Sequence, residues 1–204
     1  VEVPDDDLEA MASVLAERGD RIAAVLTAPV QGAGGVFPPV DGYLEGLRRL
    51  CDDNGALLIF DEVICGFGRT GEWFGAQTFG VTPDLITFAK GVTSGYLPLS
   101  GVILSRAVCE ELEEPGFLLR TGYTYSGHPA ACAAGLATLE IYEKEGLFEK
   151  AAELSPYFLD RMFELQDMDS IIDIRGYGLL AAFHLQAEGA PGARVSQAQK
   201  DPSW

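Results

Sequence analysis

Four short apolar runs limit the folds open to this chain more than any other feature. Residues 22–27, 56–60, 85–89 and 101–105 are each too short for a helix and too uniformly apolar for a half-exposed strand. Such runs suit strands of a mostly parallel sheet that is covered on both faces. Between them lie helical patterns and glycine-rich loops. Residues 8–17 place Leu8, Met11, Ala12 and Leu15 on one helical face, and Arg18-Gly19-Asp20 ends that pattern. Gln31-Gly32-Ala33-Gly34-Gly35 and Pro38-Pro39 are loop. Asp41 is the expected N-cap of a helix that buries Tyr43, Leu44, Leu47, Leu50 and Cys51, with Asn54-Gly55 as its stop. Two of the runs end in a charged residue, Asp61 and Lys90. Ligands of open α/β sheets bind beyond the carboxyl ends of the strands, so both residues fall where a ligand would sit.

Further on, Pro129 suits the first turn of a helix expected to turn Ala133, Leu136, Ala137 and Ile141 inward. Gly146 breaks it, and residues 147–165 form a second amphipathic helix. Residues 171–175 and 179–185 read as strands around Gly176-Tyr177-Gly178. The expected organisation is a large-domain portion over residues 1–145, the beginning of a small α+β domain over 146–187, and an irregular tail over 188–204.

The 204 residues are 48% hydrophobic and carry a formal charge of −17. That charge opposes binding to nucleic acid and to anionic membranes. No apolar run approaches the roughly 18 residues of a membrane span. The start, Val1-Glu2-Val3-Pro4, has neither a signal peptide's pattern nor a Met, so a piece of a longer chain, or a processed one, is expected. Cys51, Cys65, Cys109 and Cys132 show no CxxC spacing and only His128 and His184 could join them. Reduced cysteines in a cytoplasmic protein are the expectation, with no metal site.

The string Gly66-Phe67-Gly68-Arg69-Thr70-Gly71 matches G-x-G-x-x-G. A dinucleotide site needs that loop to open a helix. Here Glu72-Trp73-Phe74-Gly75 follows, and tight turns beside a ligand are the simpler reading. Lys90 follows Asp61 by 29 residues, and the residues alone leave two readings. One is an ion pair at a sheet end. The other is imine chemistry: burial lowers an amine's pKa, and a carboxylate nearby can hold a protonated pyridine nitrogen.

The run Leu58-Ile59-Phe60-Asp61-Glu62-Val63-Ile64-Cys65-Gly66-Phe67-Gly68-Arg69-Thr70-Gly71 resembles the signature of class III aminotransferases. So do Pro29-Val30-Gln31-Gly32, Pro38-Pro39, Phe88-Ala89-Lys90-Gly91 and Gly122-Tyr123-Thr124-Tyr125-Ser126-Gly127-His128-Pro129, in family order. The resemblance implies an α/β chain with the large domain of pyridoxal-phosphate (PLP) fold type I. Lys90 would hold PLP as a Schiff base and move a proton. Asp61 would bind the pyridine nitrogen, Val63 would pack on one ring face, and Gln31 would lie beside the ring. Thr124 would reach the phosphate bound to the neighbouring subunit of a homodimer. Arg69 would brace its loop, and His128 would cap the helix after it.

Three departures stand out. Ala28 occupies a place where many members carry Glu, the glycine/serine phosphate cup is absent upstream, and the small domain stops before the arginine that often binds a substrate carboxylate. The implied reaction transfers an amino group from an amine or ω-amino acid to pyruvate or another 2-oxo acid. The Thr124–Pro129 version of the loop is similar to the branch that uses β-alanine, taurine or simple amines. The rivals are a PLP aminomutase or decarboxylase of the same fold, and a non-catalytic remnant serving in dimerisation. These 204 residues alone are expected to be inactive.

Overall fold

The structure is a computed structural model that describes residues 1–4 and 6–186. The expected tail over 188–204 lies outside the described residues. A four-stranded sheet is formed by β1 (Ala24–Thr27), β2 (Leu57–Asp61), β3 (Leu85–Phe88) and β4 (Gly101–Leu104), in that spatial order. The first three strands are parallel, and β4 returns antiparallel to β3. All four apolar runs therefore become strands of one mostly parallel sheet.

Helices α1 (Leu8–Arg18) and α2 (Tyr43–Asn54) cover one face. Alternation along the strands sends Val25, Leu58 and Phe60 to that face, where they pack with Tyr43, Leu44, Leu47 and Cys51. Arg48 fastens α2 to the entrance of β3. Its guanidinium donates to Asp84 at 2.8 Å, and the same carboxylate accepts the Leu58 N–H at 2.7 Å. The opposite face carries Leu26, Leu57, Ile59 and Asp61, and it is not closed: Leu26 is 64% exposed. Cover on both faces, the expectation from apolar strands, is thus met on one face by the described residues.

Two local expectations need correction. Asp41 does not cap α2. The N-cap is Gly42, without a side-chain bond, at φ +78°. The chain arriving from Pro38-Pro39 enters the helix through a left-handed residue, and glycine takes that conformation without a Cβ clash. Helix α5 (Pro129–Glu145) forms as expected, with His128 Nδ1 accepting the Ala131 N–H at 3.4 Å. Its buried face, however, is Ala131, Gly135 and Thr138, whereas Leu136 and Ile141 are 65% and 48% exposed. Small residues win because α5 lies close against the turn after β3: a Cβ on Gly135 would stand 2.9 Å from Leu99.

A one-turn helix α3 (Gly75–Thr78) follows β2, and a short helix α4 (Arg106–Leu112) follows β4. Gly146, left-handed at φ +57°, separates α5 from α6 (Leu147–Phe163). Strands β5 (Ile171–Tyr177) and β6 (Leu180–Leu185) then pair as an antiparallel hairpin whose tight turn is Gly178-Leu179. The hairpin packs Tyr177, Leu180 and Ala182 onto buried Val30, Val36 and Cys65 from the segments after β1 and β2.

Candidate active site

Register places the two chemical groups at one edge. Asp61, the last residue of β2, pairs with Thr87 of β3, and the Glu62 N–H donates to the Thr87 carbonyl at 2.9 Å. Lys90 lies three residues beyond that partner. Both therefore leave the sheet at the carboxyl ends of neighbouring parallel strands. Asp61 is half-buried, and its Oδ1 accepts the Val63 N–H at 3.0 Å. Its Oδ2 has no hydrogen-bond partner among the described residues, which leaves an acceptor for a cationic N–H.

Lys90 opens a 3₁₀ turn over Lys90–Thr93 with φ +46°, a left-handed backbone for a residue with a Cβ. Phe67 (φ +58°) and Ser94 (φ +50°) are strained in the same way. All three line one cleft of about 560 Å³, together with Val63, Tyr142 and Phe148. Such strain persists only where surrounding structure enforces it, and it concentrates at functional sites. The enforcement is visible. Tyr142 donates its hydroxyl to the Gly91 carbonyl at 2.7 Å. A Cβ on Gly91 would lie 2.8 Å from Phe67, whose ring packs edge-on to Phe74 and Phe88. The Lys90 ammonium has no ion-pair partner among the described residues, so the ion-pair reading of Asp61 and Lys90 is not what the structure forms.

Lys90 and Val63 thus share the cleft, and Asp61 is tied to it through the Val63 N–H. Gln31 and Thr124 do not line it. Gln31 exchanges both backbone hydrogen bonds with Phe37, at 2.9 and 3.0 Å, at the end of the segment that follows β1. Thr124 sits in an exposed turn in which the Tyr123 N–H donates to Ser126 Oγ at 3.1 Å.

The glycine loop behaves as turns. Gly68 N–H bonds the Glu72 carbonyl at 2.9 Å, Gly71 N–H bonds Gly68 at 3.0 Å, and no helix opens at Gly71. The Arg69 side chain is exposed, while its carbonyl accepts the Leu179 N–H at 2.8 Å and joins the loop to the hairpin.

Glu62 escaped the sequence reading. It is fully buried, and its carboxylate accepts the Gly75 and Ala76 N–H groups at 2.9 and 2.8 Å. It thereby satisfies the start of α3 and folds the 62–76 loop back beside the strand end. Burial pushes its pKa up, and the two N–H bonds oppose that rise. The only advance signal was an acid next to Asp61 with no obvious solvent-facing reason. Cys65 ties the same loop to the segment before Gln31. Its Sγ lies 3.4 Å from the Val30 N–H and donates to the Val30 carbonyl at 3.1 Å. Burial pushes its thiol up to about 12, so it is a packing group.

The family model of the class-III aminotransferases matches residues 2–201, and the chain belongs to that family. It is 47% identical over 196 residues to an omega-aminotransferase of Caulobacter vibrioides, covering 94% of this chain and 44% of that one. Identity to a beta-alanine–pyruvate aminotransferase of Pseudomonas aeruginosa is 45% over 184 residues, with 87% and 41% covered. The fold superposes on a thermostable (S)-enantioselective omega-transaminase from Thermomicrobium roseum with a TM-score of 0.83. That match has 43% identity and covers 88% of this chain and 40% of the other. The chain spans somewhat over two-fifths of the length of the curated relatives named here.

Class III aminotransferases depend on PLP. The residues present fit that cofactor: an unpaired amine just past a strand end, a carboxylate with one unengaged oxygen, and an apolar side chain on the cleft wall beside the amine.

Proposed function

We propose that the protein carrying this chain is a PLP-dependent transaminase that moves an amino group from an amine or ω-amino acid to pyruvate or another 2-oxo acid. One observation carries the reading: a lysine with a strained backbone and an unpaired amine, at the edge where Asp61 also leaves the sheet, in a class III chain. When bound, the cofactor supplies an electron sink that stabilises negative charge at the substrate carbon. Lys90 Nζ would hold the cofactor covalently until the substrate amine displaces it, and the freed Lys90 amine would then carry the proton between the substrate Cα and C4′ of the cofactor. Asp61 Oδ2 would accept from the ring nitrogen and keep it protonated through opposite charge. Val63, on the cleft wall, would pack on one ring face, and Gln31 would approach the ring from outside that wall.

The exposed turn around Thr124 supports a homodimer in which Thr124 reaches the phosphate held by the other subunit. The names carried by the relatives, omega-aminotransferase and beta-alanine–pyruvate aminotransferase, support small amine and oxo-acid substrates. No helix among the described residues is long and apolar enough to cross a membrane, and the four unpaired cysteines support a cytoplasmic setting.

Borohydride reduction of the whole protein with PLP, followed by peptide mapping, tests the reading. The pyridoxyl group is expected on Lys90. Its appearance on Lys144 or Lys150, or full turnover in Lys90→Ala, would overturn the assignment. An amine-dependent conversion of pyruvate to alanine separates transamination from mutase or decarboxylase chemistry.

A further inference from the structure

On β5, a few residues before Leu179 and Leu180 of the cleft wall, Arg175 and Asp173 form an ion pair whose side chains are each only 1% exposed. A buried pair of this kind gains little net stability, since desolvation offsets attraction, and apolar residues of the same size often serve as well. What Arg175 does beyond its pair is therefore informative. Its Nε donates to the Gly35 carbonyl at 2.8 Å, its Nη2 lies 3.2 Å from His184 Nε2, and its guanidinium carbon stands 4.2 Å above the Phe37 ring. One planar fork thus grips the hairpin with two partners and the 31–37 turn with two more.

That turn needs a grip. Gly35 (φ +131°) and Val36 (φ +54°) are consecutive left-handed residues, and the N–H groups of both converge on the Gly32 carbonyl at 3.0 Å. The turn is also pressed against the loop that follows Asp61. A Cβ on Gly32 would lie 2.7 Å from Ile64, the neighbour of Val63 and itself part of the cleft wall. A displacement of Gly35 and Phe37 would thus move Gln31 on one side and Ile64 on the other.

We propose that Arg175 is a positioning residue. It clamps the strained 31–37 turn to the β5–β6 hairpin, and so fixes where Gln31 and the Val63–Ile64 wall stand relative to Lys90. The inference rests on the PLP reading above for its functional consequence, whereas the clamp itself does not.

The test uses the whole protein with PLP and two variants, Arg175→Lys and Phe37→Leu. Lysine keeps the charge beside Asp173, but a point charge cannot also reach Gly35 and stack on Phe37. Phe37→Leu leaves the ion pair intact and removes only the stacked ring. Both variants are expected to melt cooperatively and to retain dimer size. The PLP dissociation constant is expected to rise about tenfold in Arg175→Lys, the scale seen when a group that orients a binding residue is lost, with a smaller rise in Phe37→Leu. The absorption maximum of the bound cofactor should shift in both, a signature that general loosening would not produce. Hydrogen exchange at the Gln31 and Phe37 amides should quicken.

Folded variants with wild-type PLP affinity, spectrum and exchange would overturn the proposal. If Arg175→Lys does not fold, Phe37→Leu decides alone. If the wild type holds no PLP on Lys90, the functional reading fails, and unchanged amide exchange in the variants is then the result that would sink the clamp.

Discussion

The two faces of the four-stranded sheet differ sharply. On one, Val25, Leu58 and Phe60 are closed over by α1 and α2, and the chain satisfies itself. On the other, Leu26 and Val102 are 64% and 52% exposed, and Asp61 is on that open side. The contrast extends outward, where Leu118, Tyr123 and Tyr125 lie exposed around Thr124, and α5 shows Leu136 and Ile141 to solvent. On the reading proposed above, the edge that would anchor a ring has its amine, carboxylate and wall all from this chain's own strands and turns. The surface that would enclose that ring is the one the chain leaves open. We expect this open apolar surface to be a site of association.

The sharpest way to break the contrast is at the built edge. Asp61→Asn changes one atom and keeps the Val63 N–H bond available, so fold and cofactor retention should survive. The ring nitrogen would lose its opposite charge. Turnover of the whole protein with an amine and pyruvate is expected to fall at least about a hundredfold, a barrier rise of roughly 2.7 kcal/mol. Wild-type turnover in this variant would remove Asp61 from the site.

At the open side the expected effect is smaller. Thr124 makes no contact that the sheet or α5 needs, so Thr124→Ala should leave thermal unfolding unchanged. A lost hydrogen bond to a charged phosphate costs about 1.5 kcal/mol, so PLP affinity should drop roughly tenfold. Equilibrium dialysis on the wild type and the variant checks this. A variant that binds PLP as the wild type does would leave the exposed turn without its proposed role.

What could be read from the sequence follows the same division. The placement of Asp61 and Lys90 at strand ends was legible because a charged residue ending an apolar run is marked by one-dimensional pattern, whereas the roles proposed for them rest on the family resemblance. The strands were legible from the same pattern. The left-handed backbone of Lys90 was not, because it is enforced by Tyr142 and Phe67, which approach from elsewhere in the fold. Neither was the cap that Glu62 places on α3, thirteen residues on, nor the reach of Arg175 to Gly35 across 140 positions. Asp41 failed as a cap because propensity was outweighed by the left-handed entry at Gly42.

Helix α5 shows most plainly how pattern runs out, and it yields the smallest expected effect on stability. Its sequence, PAACAAGLATLEIYEKE, is apolar almost all round, so helical spacing selects no single face. Large apolar residues argued for Leu136 and Ile141 inward. The turn after β3 instead admits only Ala131, Gly135 and Thr138, because the helix must come close enough for Tyr142 to reach Gly91. Leu136 and Ile141 are then surplus to the packing of this chain. Replacing both, Leu136→Lys with Ile141→Lys, should shift its unfolding free energy by no more than about 0.5 kcal/mol, as for surface positions generally. Association of the 204 residues, followed by light scattering, should fall, because two anchors of the open surface become charged. Ala131→Leu on the buried face is the matched control. Overpacking there should cost about 1–3 kcal/mol while leaving the open surface as it was. Strong destabilisation by the lysine pair, with Ala131→Leu tolerated, would mean that α5 turns its larger residues inward after all.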